Sequence, residues 1–202
     1  MRLHWFDLGF AFALVTGGIL ALNKLNPLSF LLWVSLISLF LHQLEEYRYP
    51  GYFPGMINSV LFSSKQPDRF PLNSNTALIV NVVIGWSFYF LAAVFAENAV
   101  WLGVATILVS LGNFVAHTVL FNLKGKRFYN PGMVTVVILF LPILLYFFYF
   151  VIEKGLVSPI DWGVGIILGI ALNYLGILKV IDWLKDENSS YIFPKRCLMP
   201  EN

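Results

Sequence analysis

The run Leu41-His42-Gln43-Leu44-Glu45-Glu46 places one imidazole and two carboxylates within a few residues. Spacings of three and four residues put such groups on the same side of a helix. Further along, Asn113 and His117 stand four residues apart, and Tyr129 precedes Asn130-Pro131-Gly132. Two imidazoles and two carboxylates form a ligand set for a transition metal, with zinc, iron or manganese the usual occupants. On this reading His42, Glu45 and His117 hold the metal, and Glu46 is a fourth ligand or the general base. Asn113 and Tyr129 orient ligands or substrate. The same groups admit a metal-free reading, in which a buried glutamate acts as base beside a histidine. For Glu46 alone the plainest reading is a helix-end carboxylate paired with Arg48. For His42, Glu45 and His117 together, three independent placements favour a site.

These groups must be positioned by helices that cross a membrane. Of 202 residues, 58% are hydrophobic and 12% charged, with a mean hydropathy of +0.76. Soluble domains carry about 25% charged residues, and a chain rich in aromatics and poor in charge is not disordered. A net charge of +2 on scattered positions gives no nucleic-acid surface. The single cysteine, Cys197, excludes an internal disulfide and a CxxC motif.

A membrane helix needs about 20 mostly apolar residues. Six segments qualify: Trp5–Leu22, Leu28–Leu44, Ala77–Ala96, Val100–Leu123, Met133–Ile152 and Ile160–Leu184. A β-barrel would alternate apolar and polar residues, whereas 134–149 is apolar almost without interruption. Ala11-Phe12-Ala13 has the look of a signal-peptide cleavage site, but cutting there would halve the first apolar run, so that run is read as a retained helix. The fold class is an all-α integral membrane protein, a six-transmembrane-helix bundle forming one domain over 1–185, followed by a polar tail over 186–202.

Positive charge orients the bundle. Eleven lysines and arginines fall on the side that holds both termini, and only Lys24 and Lys154 on the other, which predicts cytoplasmic termini. By topology His42, Glu45, Glu46, Asn113, His117 and Tyr129 all lie near that end, with Asn81 at similar depth early in the third span. The one long connection, 47–76, contains Pro54, suited to open a short helix. Met56, Ile57, Val60 and Leu61 share a face there, so that 52–64 is either an interfacial segment or a structured loop resting on the bundle. Pro142 should kink the fifth span, and Asn173, midway along the sixth, is expected to bond between helices.

The motifs His42-x-x-Glu45-Glu46, Asn113-x-x-x-His117 and Tyr129-x-Pro131-Gly132, in that order, resemble the HXXEE-motif family of bacterial integral membrane proteins. The Tyr49-Pro50-Gly51 stretch and the Val-Thr after Gly132 are similar too. The resemblance implies a shared site in a multi-spanning protein of the bacterial cytoplasmic membrane and names no reaction. Glu45-Glu46 and the Phe114 to His117 spacing also resemble CAAX-type membrane proteases, which use EExxxR and FxxxH motifs. Here Arg48 follows two residues after the glutamates instead of four, and Phe114 is one residue too close to His117.

The expected function is a membrane enzyme with a His/Glu metal site at the cytoplasmic end, acting on a lipid-like or small hydrophobic substrate that enters beneath 52–64. The alternatives are a proton-coupled carrier using the same acids and a metal-free glutamate hydrolase.

Overall fold

The structure, a computed structural model, describes residues 1–200 of the chain. Six helices are each long and apolar enough to cross a membrane: α1 (Trp5–Leu22), α2 (Pro27–Tyr47), α3 (Ser74–Val94), α4 (Val100–Gly125), α5 (Met133–Glu153) and α6 (Pro159–Trp183). Local chemistry sets the starts of several. The Asn26 side chain accepts from Ser29 N ahead of Pro27, Asn73 accepts from Asn75 N and Thr76 N, and Ser158 and Asp161 form a reciprocal capping box. Each satisfies backbone N–H groups that have no partner within the helix.

Helix α2 packs against α1, α3 and α5, while α4 packs against α3, α5 and α6. These two are the most buried spans, at 56% and 44% of their apolar windows against 22–28% for the others. They are also the helices that carry His42 and His117. Helix α6 comes close to α4 through Gly165 and Gly169. A Cβ at the first would stand 2.7 Å from Val104 Cβ, and one at the second 2.8 Å from Leu108 Cβ. In a membrane small residues permit such contact between backbones. The Gly-x-x-x-Gly spacing was there to be read, and Asn173 beside it makes the expected inter-helical bond, donating to Leu108 O at 3.2 Å.

In α5 the turn Val136–Phe140, just before Pro142, is wound in the wider i→i+5 pattern. Similar turns occur at Ile79–Trp86, Ala116–Leu120 and Leu172–Lys179. Such turns are frequent at functional sites, and here they carry Asn81, His117 and Asn173.

The 47–76 connection rests on the bundle. Residues 53–61 form a short helix whose Phe53, Met56 and Ile57 are buried. Asn58, fully buried, ties it down by exchanging hydrogen bonds with Leu72 N and O at 3.0 and 2.8 Å. The polar tail folds back over this connection. Phe193 N donates to Asp68 O at 2.8 Å, Arg196 Nη1 donates to Tyr47 O at 2.6 Å, and the Arg2 guanidinium lies over the Tyr191 ring. Both termini therefore meet at one end of the bundle, beside the ends of α2 and α4.

Candidate metal centre

The last turns of α2 and the wide turn of α4 bring His42, Glu46 and His117 together, all three buried. Glu46 Oε1 lies 3.6 Å from His42 Nε2 and 3.3 Å from His117 Nε2. One ligand atom from each residue falls within 4.8 Å of the others.

The far side of each ring fixes its tautomer. His117 Nδ1 is 2.6 Å from Asn130 Oδ1. The Asn130 amide nitrogen is committed to His117 O and Asn122 Oδ1, both at 2.7 Å, and a backbone carbonyl only accepts. Asn130 therefore presents its oxygen to the ring, and Nδ1 carries the proton. His42 Nδ1 is 2.9 Å from Thr135 Oγ1. The threonine hydroxyl has one proton and two neighbouring acceptors, Glu45 Oε2 at 2.7 Å and Gly132 O at 3.0 Å. It gives that proton away, accepts from His42, and leaves the proton on Nδ1. In the neutral rings that metal binding requires, both Nε2 atoms bear lone pairs, and both face the Glu46 carboxylate.

Three electron-rich atoms without a proton among them repel one another unless a cation lies between them. No N–H or O–H of the described residues donates to the Glu46 carboxylate, and His42 Nε2 is buried without a hydrogen-bond partner. A metal about 2.1 Å from two ligands at a tetrahedral angle sets them roughly 3.4 Å apart. The observed 3.3 and 3.6 Å fit that spacing and exceed the usual 2.7–3.2 Å of a hydrogen bond. Second partners that hold Nδ1 and free Nε2 for the metal are the rule for ligand histidines.

Glu45 lies elsewhere. Its carboxylate accepts from Val134 N at 3.2 Å, Thr135 N at 2.9 Å, Thr135 Oγ1 at 2.7 Å and Tyr129 Oη at 3.0 Å. The residue ahead of α5 is Gly132, which has no side chain to cap with, so Glu45 of α2 caps α5 from across the bundle. The expected ligand Glu45 is not in the three-residue group, because these four donors already satisfy its charge. Tyr129 is thereby placed on Glu45 and away from the three ligand atoms. Burial and the Glu45 charge push its phenol pKa up, which keeps it a donor at neutral pH.

Arg48 pairs with neither glutamate. Its Nε is 3.3 Å from Asp7 Oδ1, at the start of α1. Asn113 borders the cluster, its Nδ2 donating to Val109 O at 3.0 Å. Asn81 is linked to Gln43 and Tyr47, away from the ligand atoms. Sequence reasoning gave no role to Asn130 or Thr135, although both stand inside or next to the Tyr-x-Pro-Gly motif. Gly132 of that motif has φ +102, and it lies against both imidazoles. A Cβ there would collide with His117 Cε1 and stand 2.8 Å from His42 Cε1.

Two cavities meet at the cluster. The inner one, about 100 Å³, is lined by His42, Glu46, Tyr47 and Asn81 among others. The outer one is an apolar groove of about 550 Å³ between α4, α6 and residues 53–61, and it reaches His117. Phe53 and Asn113 line both. The Phe53 ring stacks on His117 with centroids 5.3 Å apart, so it stands between the groove and the cluster.

Fold and site together define a six-helix membrane protein with a buried His-Glu-His cluster at one end. The chain belongs to the HXXEE-motif family of proteins of unknown function, whose model matches residues 33–147. That stretch contains all three cluster residues and both residues that fix the imidazole protons. No curated protein and no solved structure matches the chain.

Proposed function

We propose that this protein is a membrane-embedded metalloenzyme acting on a lipid-like or small hydrophobic substrate. The observation that carries the metal is the convergence of two Nε2 atoms, each on a ring held through Nδ1, and one carboxylate oxygen in a buried space. Two imidazoles and one carboxylate leave coordination positions open, as catalytic zinc and non-haem iron sites do. His42, Glu46 and His117 would hold a divalent metal, which would supply Lewis acidity.

The chain's own residues do the rest. Asn130 and Thr135 hold the rings in the metal-binding tautomer, Glu45 holds Thr135, and Phe53 separates the cluster from the groove. The groove is apolar and bordered by exposed side chains of α4 and α6, including Val115, Ile170 and Leu178. That supports a substrate arriving sideways from the hydrocarbon with its apolar part in the groove. The lysine and arginine asymmetry supports a cytoplasmic position for this end.

The test is elemental analysis of detergent-purified protein, wild type beside the His42→Ala/His117→Ala double variant. Near-stoichiometric zinc, iron or manganese in the wild type alone is the expected result. Its absence from both would overturn the metal reading and turn the proposal to a metal-free acid–base site. Equal metal in both would show that the metal sits elsewhere.

A further inference from the structure

A chain of hydrogen bonds runs into the inner cavity, and its direction is fixed at the far end. Trp86 Nε1 donates to Gln43 Oε1 at 2.7 Å, Gln43 Nε2 to Asn81 Oδ1 at 3.1 Å, and Asn81 Nδ2 to Tyr47 Oη at 3.2 Å. An indole nitrogen can only donate. Gln43 must therefore turn its oxygen to Trp86 and its nitrogen to Asn81, which leaves the nitrogen of Asn81 for Tyr47. Asn81 Nδ2 also donates to Ala77 O at 2.9 Å, a carbonyl that only accepts. Turning either amide over would set N–H against N–H.

Tyr47 ends the chain as an acceptor and keeps its own proton. No described residue takes that proton, although Tyr47 is 2% exposed and its ring is held by Trp5, Phe6 and Phe53. A buried donor without an acceptor is a costly arrangement that native structures rarely keep without reason. Two helices contribute side chains to produce this one. Tyr47 lines the same small cavity as His42 and Glu46.

We propose that Tyr47 is the hydrogen-bond donor of the inner cavity and takes the oxygen of a group held at the His42-Glu46-His117 cluster. This rests on the metal reading above and narrows the substrate. No lysine or arginine lines the cavity, so it offers no positive charge to a phosphorylated headgroup. The polar partners on offer are the Tyr47 hydroxyl and the Asn113 amide. That set suits a carbonyl or carboxyl oxygen at the end of an apolar chain, with the chain lying in the 550 Å³ groove.

The experiment loads the full-length protein in detergent with cobalt(II) and titrates it with acetohydroxamate, followed by visible absorption. Tyr47→Phe is expected to take up cobalt as the wild type does and to bind acetohydroxamate roughly tenfold more weakly, as loss of a hydrogen bond to a charged group predicts. Replacing Tyr47 alone by 3-fluorotyrosine keeps the hydroxyl and the ring packing. Its more acidic phenol donates more strongly and should tighten the probe a few-fold. A purely packing role for Tyr47 predicts no change in either variant. Unchanged affinity in cobalt-loaded Tyr47→Phe would overturn the proposal and leave the metal reading standing. If Tyr47→Phe loses cobalt, the decision passes to the 3-fluorotyrosine protein, where unchanged affinity overturns it. A wild type that takes up no cobalt would overturn both readings.

Discussion

Glu45 and Glu46 are adjacent in the chain and both buried, yet they lie in opposite chemical surroundings. On the α5 side, Glu45 accepts four hydrogen bonds, two of them from backbone N–H groups in the first turn of that helix. Its charge is fully answered by the protein. On the α4 side, the polar groups that meet Glu46 among the described residues are two imidazole nitrogens, the Nε2 atoms of His42 and His117. The contrast teaches that burial of a carboxylate does not by itself mark a ligand. What marks it is a shortage of donors. One glutamate builds the framework, and the other awaits a cation.

The sharpest way to break the comparison is to neutralise each acid in turn. Glu46→Gln should abolish metal content, while the metal-free protein melts no lower than the wild type, or higher, because an unpaired buried charge has gone. Glu45→Gln should retain metal but lower the melting temperature by several degrees. It sets an amide among four donors, two of them fixed backbone N–H groups, and each buried donor left unpaired costs about 1–3 kcal/mol. Calorimetry beside elemental analysis reads both, and the reverse pattern would exchange the two roles.

Gly132→Ala comes next, since its Cβ would strike the rings and its φ of +102 disfavours any side chain. The expected outcome is loss of most bound metal together with a clear drop in thermal stability. Preserved metal binding would mean that Gly132 does not lie against the two imidazoles.

A milder change tests the link between the two halves. Thr135→Val removes the acceptor of His42 Nδ1 and should weaken metal affinity by about 10–100-fold. Thr135→Ser, which keeps the hydroxyl, should restore it. Equal affinities from a competitive chelator titration of the two variants would break the connection from Glu45 through Thr135 to His42.

The smallest effect concerns the tail, far from either acid. Cys197 is 2% exposed, and burial raises its thiol pKa despite Arg196 nearby. A raised pKa leaves less thiolate at neutral pH, so alkylation by a maleimide should be slow in detergent and fast in dodecyl sulfate. Equal rates would show that the tail does not pack over the 53–72 region.

Much of this was legible beforehand. Apolar runs of membrane length gave all six helices to within a few residues, because in hydrocarbon the backbone must satisfy itself within each span. The spacing of His42 and Glu46, and the second histidine at His117, were also visible. The choice between the glutamates was not. His42 is three residues from Glu45 and four from Glu46, and helical spacing accepts either pair. The start of α5 decides, by drawing Glu45 to Val134 and Thr135. In the same way Arg48, adjacent to both acids in sequence, is taken by Asp7 of α1. No local pattern announces a partner on another helix.

The sequence by itself determined the class of protein, the number of spans and the collection of imidazoles and carboxylates at one end, since each follows from composition or local periodicity. Only the tertiary structure decided which carboxylate faces the imidazoles, which ring nitrogen carries each proton, and where Tyr47 keeps its own. Those are set by hydrogen bonds between helices far apart in the chain, from Thr135 to His42 and from Asn81 to Tyr47. Their direction follows from donors and acceptors that have no freedom to reverse.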